Sequence, residues 1–215
     1  MKIFCVGMNY PEHNKELKDT LLKADNPVIF LKADSSLQKN GKPFFIPDDL
    51  GRIDYEAELV VRVCKLGKTV PTRFAHRYYD AVTLGIDFTA RELQRKLSEN
   101  GQPWDMAKSF DGGATIGDWV PKDLLPDVGR LRFHLNVNGS TAQEGCACDM
   151  TWGVDDIVAY VSKYFTLKTG DLIFTGTPAG VGPVHIGDLL EGWVEERKVL
   201  ECPRCAGLRE RMLDK

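Results

Sequence analysis

Two glutamates, Glu56 and Glu58, stand two residues apart in Asp54-Tyr55-Glu56-Ala57-Glu58-Leu59-Val60-Val61, a segment that turns apolar from Leu59 onward. Side chains at i and i+2 share one face of a strand, so this spacing predicts two carboxylates side by side. Like charges that close repel, and glutamate is disfavoured in strands; a cation between the two relieves the conflict. Asp87 ends a second apolar run, Ala81-Val82-Thr83-Leu84-Gly85-Ile86, and is placed to be a third ligand. An all-oxygen set suits Mg²⁺, Mn²⁺ or Ca²⁺ rather than Zn²⁺, and three carboxylates leave room for water and substrate in an octahedral shell. Taken alone, the same residues also fit a solvated strand face and an acid flanking a helix.

Other residues have suggestive spacing. His13 and Glu16 lie at i and i+3, so they can share a helix face; by themselves they equally describe an exposed helix surface. Cys202-Pro203-Arg204-Cys205 has CxxC spacing but no second pair and no nearby His, which leaves a zinc site incomplete. The loop 175–182 is rich in Gly but lacks the Gly-Lys-Ser/Thr ending of a phosphate loop.

The elements that must carry these residues are mostly short strands. Residues 2–7, 28–32, 57–64, 81–87, 131–137, 171–175 and 189–194 are rich in Val, Ile, Leu and Phe, with Gly, Pro, Asn and Asp between them. Asn138-Gly139 marks a hairpin turn. Three helices are expected. One runs from about Glu12 to Lys23. A second follows Thr89, where Thr89-Ala90-Arg91-Glu92 matches a capping box, and closes at Gly101. The third aligns Val154, Ile157, Val158 and Val161 along one stripe. Strands outnumber helices and do not alternate with them, which favours a β-rich α+β or sandwich-like architecture over a doubly wound sheet.

The chain has 215 residues, a length for one domain, with an N-terminal strand–helix region over about 1–45 and a C-terminal tail from about 201 to 215. Its net charge of −3 and lack of like-charge runs argue against nucleic acid as a partner. No segment has the roughly 18 apolar residues of a membrane span. The apolar start is too short for a signal peptide, so the six cysteines are expected to be reduced and the protein cytoplasmic.

In order along the chain, Cys5-Val6-Gly7-Met8-Asn9-Tyr10 with His13 and Glu16, Asp54-Tyr55-Glu56-Ala57-Glu58-Leu59, Gly85-Ile86-Asp87-Phe88-Thr89-Ala90-Arg91 with Gln94, Pro103-Trp104, Lys108-Ser109-Phe110 and Thr175-Gly176-Thr177-Pro178-Ala179-Gly180-Val181-Gly182 resemble the fumarylacetoacetate hydrolase family, and within it the small acylpyruvate-hydrolase-like branch. The resemblance implies a mixed β-sandwich roll with a few peripheral helices, a homodimer, and Mg²⁺ or Mn²⁺ on Glu56, Glu58 and Asp87. It implies that His13 takes a proton from water while Glu16 orients the imidazole. It places Lys108 beside the substrate, where its charge would bring the three carboxylates and the ion to about neutral, and Gln94, Gly176 and Thr177 as substrate contacts. Two departures concern the substrate: Met8 stands where many relatives carry Arg, and Ala147-Cys148 where relatives often have Thr-Ser. The activity implied is hydrolysis of a C–C bond in a small acylpyruvate or 1,3-diketo acid. Oxaloacetate decarboxylation or isomerisation of a 2-hydroxy-diene diacid such as 2-hydroxyhepta-2,4-diene-1,7-dioate is the alternative, and a non-catalytic 2-oxo-acid binder the third reading.

Overall fold

The computed structural model describes residues 1–16 and 25–207. Its largest sheet has eight strands. Seven lie in the order Val28–Lys32, Ile3–Gly7, Leu172–Phe174, Ala57–Val63, Tyr79–Asp87, Ala114–Ile116 and Leu37–Lys39, and Val120–Pro121 pairs with Tyr79–Asp87. The two central strands, Ala57–Val63 and Tyr79–Asp87, are antiparallel neighbours with almost every side chain buried. Their near-continuous apolar composition follows from that burial on both faces.

A four-stranded antiparallel sheet, Ser140–Cys146, Arg132–Val137, Leu190–Val194 and Arg197–Cys202, packs against the first. The two approach so closely that a Cβ on Gly192 would lie 2.4 Å from Leu84. The hairpin between Val137 and Ser140 turns through Asn138 and Gly139, both at positive φ, as the Asn-Gly pair predicts. Helix Val154–Tyr164 buries Val154, Ile157, Val158 and Val161, the expected stripe. Among the described residues, no helix is long and apolar enough to cross a membrane.

A small third sheet, Gly182–Pro183, Ile53–Tyr55 and Thr89–Ala90, matters most for the site. Strand Ile53–Tyr55 belongs to it and Ala57–Val63 to the large sheet, so the chain changes sheet at Glu56. Tyr79–Asp87 lies in the large sheet and Thr89–Ala90 in the small one, so the chain crosses back beside Asp87. Phe88, at that crossing, is fully buried and stacked on Phe44 at 3.7 Å between ring centroids.

Gly85, opposite Glu58 in the central pair, has no room for a side chain. A Cβ there would lie 2.7 Å from both Phe174 and Val60 and 2.9 Å from the Thr115 carbonyl oxygen. Gly85→Ala is therefore expected to destabilise by about 1–3 kcal/mol through overpacking, read as a lowered midpoint in urea denaturation; an unchanged midpoint would show that the two central strands yield more than this packing allows.

Several expectations need correction. Thr89 does not cap the second helix. That helix is Arg91–Glu99, its N-cap position is Ala90, and no side chain caps it. Thr89 is held in the small sheet instead, and Gly101 does close the helix, at φ +63°. The first helix is described only over Pro11–Glu16, so the rest of the expected stretch to Lys23 lies outside the described residues. Cys146 and Cys148 are bonded to each other, against the expectation that every cysteine is reduced. The turn Ala147–Asp149 brings their Cα atoms to 5.1 Å, inside the range a disulfide spans. Residues 201–207 are no loose tail. Strand Arg197–Cys202 includes the first two, Ala206–Gly207 pairs with Phe45–Ile46, and Cys202 and Cys205 are buried as free thiols.

Candidate metal centre and active site

Ligand oxygens of Glu56, Glu58 and Asp87 lie within 4.8 Å of one another. All three residues are buried, Asp87 completely. The sequence therefore brings together the carboxylates it was expected to, from two separate β-segments. The glutamates project from the strand Ala57–Val63 and the residue before it, and the aspartate from the end of its neighbour. Burying three carboxylates in one place is costly unless cations or protons compensate them.

Cations do compensate them. Lys108 Nζ reaches Glu56 Oε2 at 2.7 Å, Asp87 Oδ2 at 3.0 Å and the Thr89 hydroxyl at 2.6 Å. Lys32 Nζ lies 2.7 Å from Asp87 Oδ1. The Arg91 guanidinium donates to Glu56 Oε1, to Asp54 Oδ2 at 2.9 Å and to Gln94 Oε1 at 2.8 Å. Burial alone would raise the Glu56 carboxyl, but Lys108 and Arg91 outweigh it and hold it well below the usual carboxylate range. The Lys108 ammonium is held above its ordinary value because Asp87 and Glu56 outweigh the cost of its burial. Glu58 differs. Burial first, then Asp87 and Glu56, push its carboxyl well above the ordinary value, and its main compensation is the Gly176 backbone N–H, which donates to Oε2 at 2.7 Å.

Glu56, Glu58, Asp87, Arg91 and Lys108 line a cavity of about 660 Å³. Its lining also includes the apolar side chains of Val6, Met8, Phe30 and Trp104 and the polar ones of Gln94 and Arg95. His13 lines the cavity and is buried, at 5 % exposure. It lies near enough to help lower the Glu56 carboxyl. Glu16 ends the same short helix, but the described side chains of that helix stop at Lys15, so the expected His13–Glu16 pairing lies outside them. Gln94 lines the cavity, although its carbonyl already accepts from Arg91.

Thr177 lines the cavity too, with its hydroxyl largely in structural use. It donates to the Ala57 carbonyl at 2.9 Å and accepts from Gln143 at 2.9 Å. Gly176 is absent from the lining, and its part is to hold Glu58. Its φ of +98°, and a position where a Cβ would lie 2.7 Å from that of Asn9, both require glycine. Asn9 fixes the adjoining segment by donating to the Thr175 and Trp152 carbonyls and accepting from the Trp152 N–H.

Three residues in this network carried no role in the sequence reading: Lys32, Arg91 and Asp54. For Lys32 a signal existed, a charged residue closing the otherwise apolar strand Val28–Lys32.

Comparison with known proteins places the chain in a family. The model of the fumarylacetoacetate (FAA) hydrolase C-terminal family matches residues 2–204. The mitochondrial oxaloacetate tautomerase FAHD1 of Mus musculus is 40% identical over 193 residues, covering 90% of this chain and 86% of its own. The oxaloacetate tautomerase YcgM of Escherichia coli is 35% identical over 190 residues, with 88% and 86% covered. Among solved structures, the fumarylpyruvate hydrolase of Pseudomonas aeruginosa, in complex with Mn²⁺ and pyruvate, superposes with a TM-score of 0.87 at 31% identity, covering 96% of this chain and 90% of that one. The 2-hydroxyhepta-2,4-diene-1,7-dioate isomerase of Mycobacterium marinum superposes with a TM-score of 0.82 at 32% identity, with 95% and 74% covered.

Proposed function

The chain belongs to the fumarylacetoacetate hydrolase family, and on that premise we propose that its centre holds a divalent cation, Mg²⁺ or Mn²⁺, on Glu56, Glu58 and Asp87 and enolises small 2-oxo acids. The observation that carries this reading is the meeting of three buried carboxylates and Lys108 in one cavity. The all-oxygen donor set fits a hard cation. Such a cation, when bound, acts as a Lewis acid toward a 2-oxo acid.

The residues of this chain supply the rest. Lys108, itself buried, presents an ammonium to the carboxylates at the place where an enolate oxygen would gain charge. Arg91 orients Glu56 and Gln94. In the hydrolytic use of the site, the His13 imidazole takes a proton from water, and the resulting hydroxide adds to the distal carbonyl of an acylpyruvate. The C–C bond then breaks, releasing the carboxylic acid and a pyruvate enolate that takes up one proton at C3. Oxaloacetate keto–enol interconversion is the second reading, favoured by the 40% identity to an oxaloacetate tautomerase over most of both chains. It needs the enolate but no attacking water.

A panel of acylpyruvates and oxaloacetate, assayed with Mg²⁺, with Mn²⁺ and with EDTA, separates the readings. Turnover that survives EDTA would remove the metal from the reaction; ligand binding without turnover on any substrate would favour a binder.

A pH dependence follows from Glu58. Burial, with Asp87 and Glu56 beside it, raises its carboxyl above the ordinary value, so a proton and a cation compete for the same ligand position. A raised carboxyl contributes stability fully below its unfolded value and loses it as pH rises through the folded one. Mn²⁺ affinity is expected to rise with pH over that same interval, with proton release on binding. Calorimetry in buffers of different ionisation heat reads the released proton; metal uptake without it would mean that Glu58 is already ionised.

A further inference from the structure

Lys32 has an unusual place for a lysine. Its side chain has no solvent exposure. Besides Asp87 Oδ1 at 2.7 Å, its ammonium has the Gly113 carbonyl at 2.8 Å, the Phe88 carbonyl at 3.4 Å and the Lys108 carbonyl as neighbours. An ammonium has three donors; the three carbonyls take them, and Asp87 Oδ1 is held by charge. Lys108 lines the cavity and Lys32 does not. Lys32 therefore acts on a bound molecule by placing Asp87 and by its charge, not by contact. A buried charge of this kind is costly to keep, and three carbonyls could have been served by a neutral donor.

Its charge also changes the balance of the centre. Glu56, Glu58 and Asp87 face Lys32, Lys108 and Arg91, three cations rather than the one counted from sequence. Asp54, which shares Arg91, is offset by Arg52 at 2.6 Å. With every carboxylate ionised, the ring is neutral before an ion arrives and carries two positive charges afterwards.

We propose that Lys32 is a positioning residue acting through Asp87: it holds the carboxylate oxygen turned away from Lys108, and its charge sets the loaded centre to prefer a dianion over a monoanion of the same shape. This rests on the metal reading above. Charge acts over distance in a buried site more strongly than in water, so Lys32 discriminates without touching the ligand.

The test uses Mn²⁺ binding, followed by electron paramagnetic resonance, with two probes of nearly equal size: oxalate, a dianion, and oxamate, a monoanion. Wild type is compared with Lys32→Met and with Lys32→Gln, a shorter neutral side chain that still carries an amide donor. The expected result has opposite signs. Mn²⁺ alone binds at least as tightly in the variants, while the oxalate-over-oxamate preference of the Mn²⁺-loaded protein falls about tenfold or more. Ratios between variants cancel the intrinsic affinity of each probe for the ion. An unchanged preference overturns the proposal, and so does a parallel weakening of Mn²⁺, oxalate and oxamate, which marks a purely structural lysine. Failure of both variants to fold counts against it in the same way. A wild type that binds no Mn²⁺ overturns the metal reading and this proposal together; a wild type that binds it, with an unaltered preference in the variants, overturns this proposal alone.

Discussion

Glu58→Gln is expected to lower metal-dependent turnover by roughly a thousandfold or more while leaving the metal-free protein as stable as before, or more so. The two halves have different causes. Lewis-acid stabilisation of charge is worth several kcal/mol, and about 1.4 kcal/mol is tenfold in rate, so loss of a ligand carboxylate from a three-carboxylate site costs several decades. Stability runs the other way. Glu58 is buried among like charges that push its carboxyl up, so keeping it ionised near neutral pH costs folding free energy. Glutamine removes that cost and retains an oxygen for the Gly176 N–H. Asp87→Asn would be a poorer experiment, since it strips a partner from two buried lysines. Mn²⁺ titration together with thermal denaturation of the metal-free variant decides the matter. Intact Mn²⁺ affinity in Glu58→Gln would dismiss Glu58 as a ligand.

His13→Ala is expected to cost about 10²–10⁴-fold in acylpyruvate hydrolysis, the usual worth of one general base, with Mn²⁺ affinity preserved. Oxaloacetate enolisation should persist in the same variant, because that reaction takes no proton from an attacking water. The side chain lines the cavity and belongs to a short helix rather than to the sheet core, so its removal should spare the fold. The informative measurement is kcat for both substrates in one preparation. An equal fall in both would assign His13 to the enolate step, and no fall in either would remove it from the chemistry.

Much of this molecule was readable from its sequence, for identifiable reasons. The strands around 57–63 and 79–87 announce themselves as largely apolar runs because most of their side chains are buried. The Glu56–Glu58 alternation survives as a shared direction because strand geometry enforces it. Sheet order was not readable. Ile3–Gly7 runs parallel to Leu172–Phe174, which lies at the other end of the chain, and local pattern carries no record of such a partner. The capping box at Thr89 failed because tertiary demand overrode a local preference: the small sheet claims its backbone and Lys108 its hydroxyl. Arg91 and Lys32 escaped notice because their partners lie 35 and 55 positions away. The Cys146–Cys148 pairing was not readable because it depends on the tight turn Ala147–Asp149, which brings their Cα atoms to 5.1 Å.

Both ligand-bearing segments change sheet at, or one residue from, a proposed ligand: Glu56 sits at one crossing and Asp87 beside the other. A cation held there would act as a rivet through the seam between two layers. Shear along that seam would open the bite of the ligands before either sheet lost its own ladder, so release of the ion would precede unfolding on heating. Substitutions far out on the small sheet would then tune ion retention without touching the cavity.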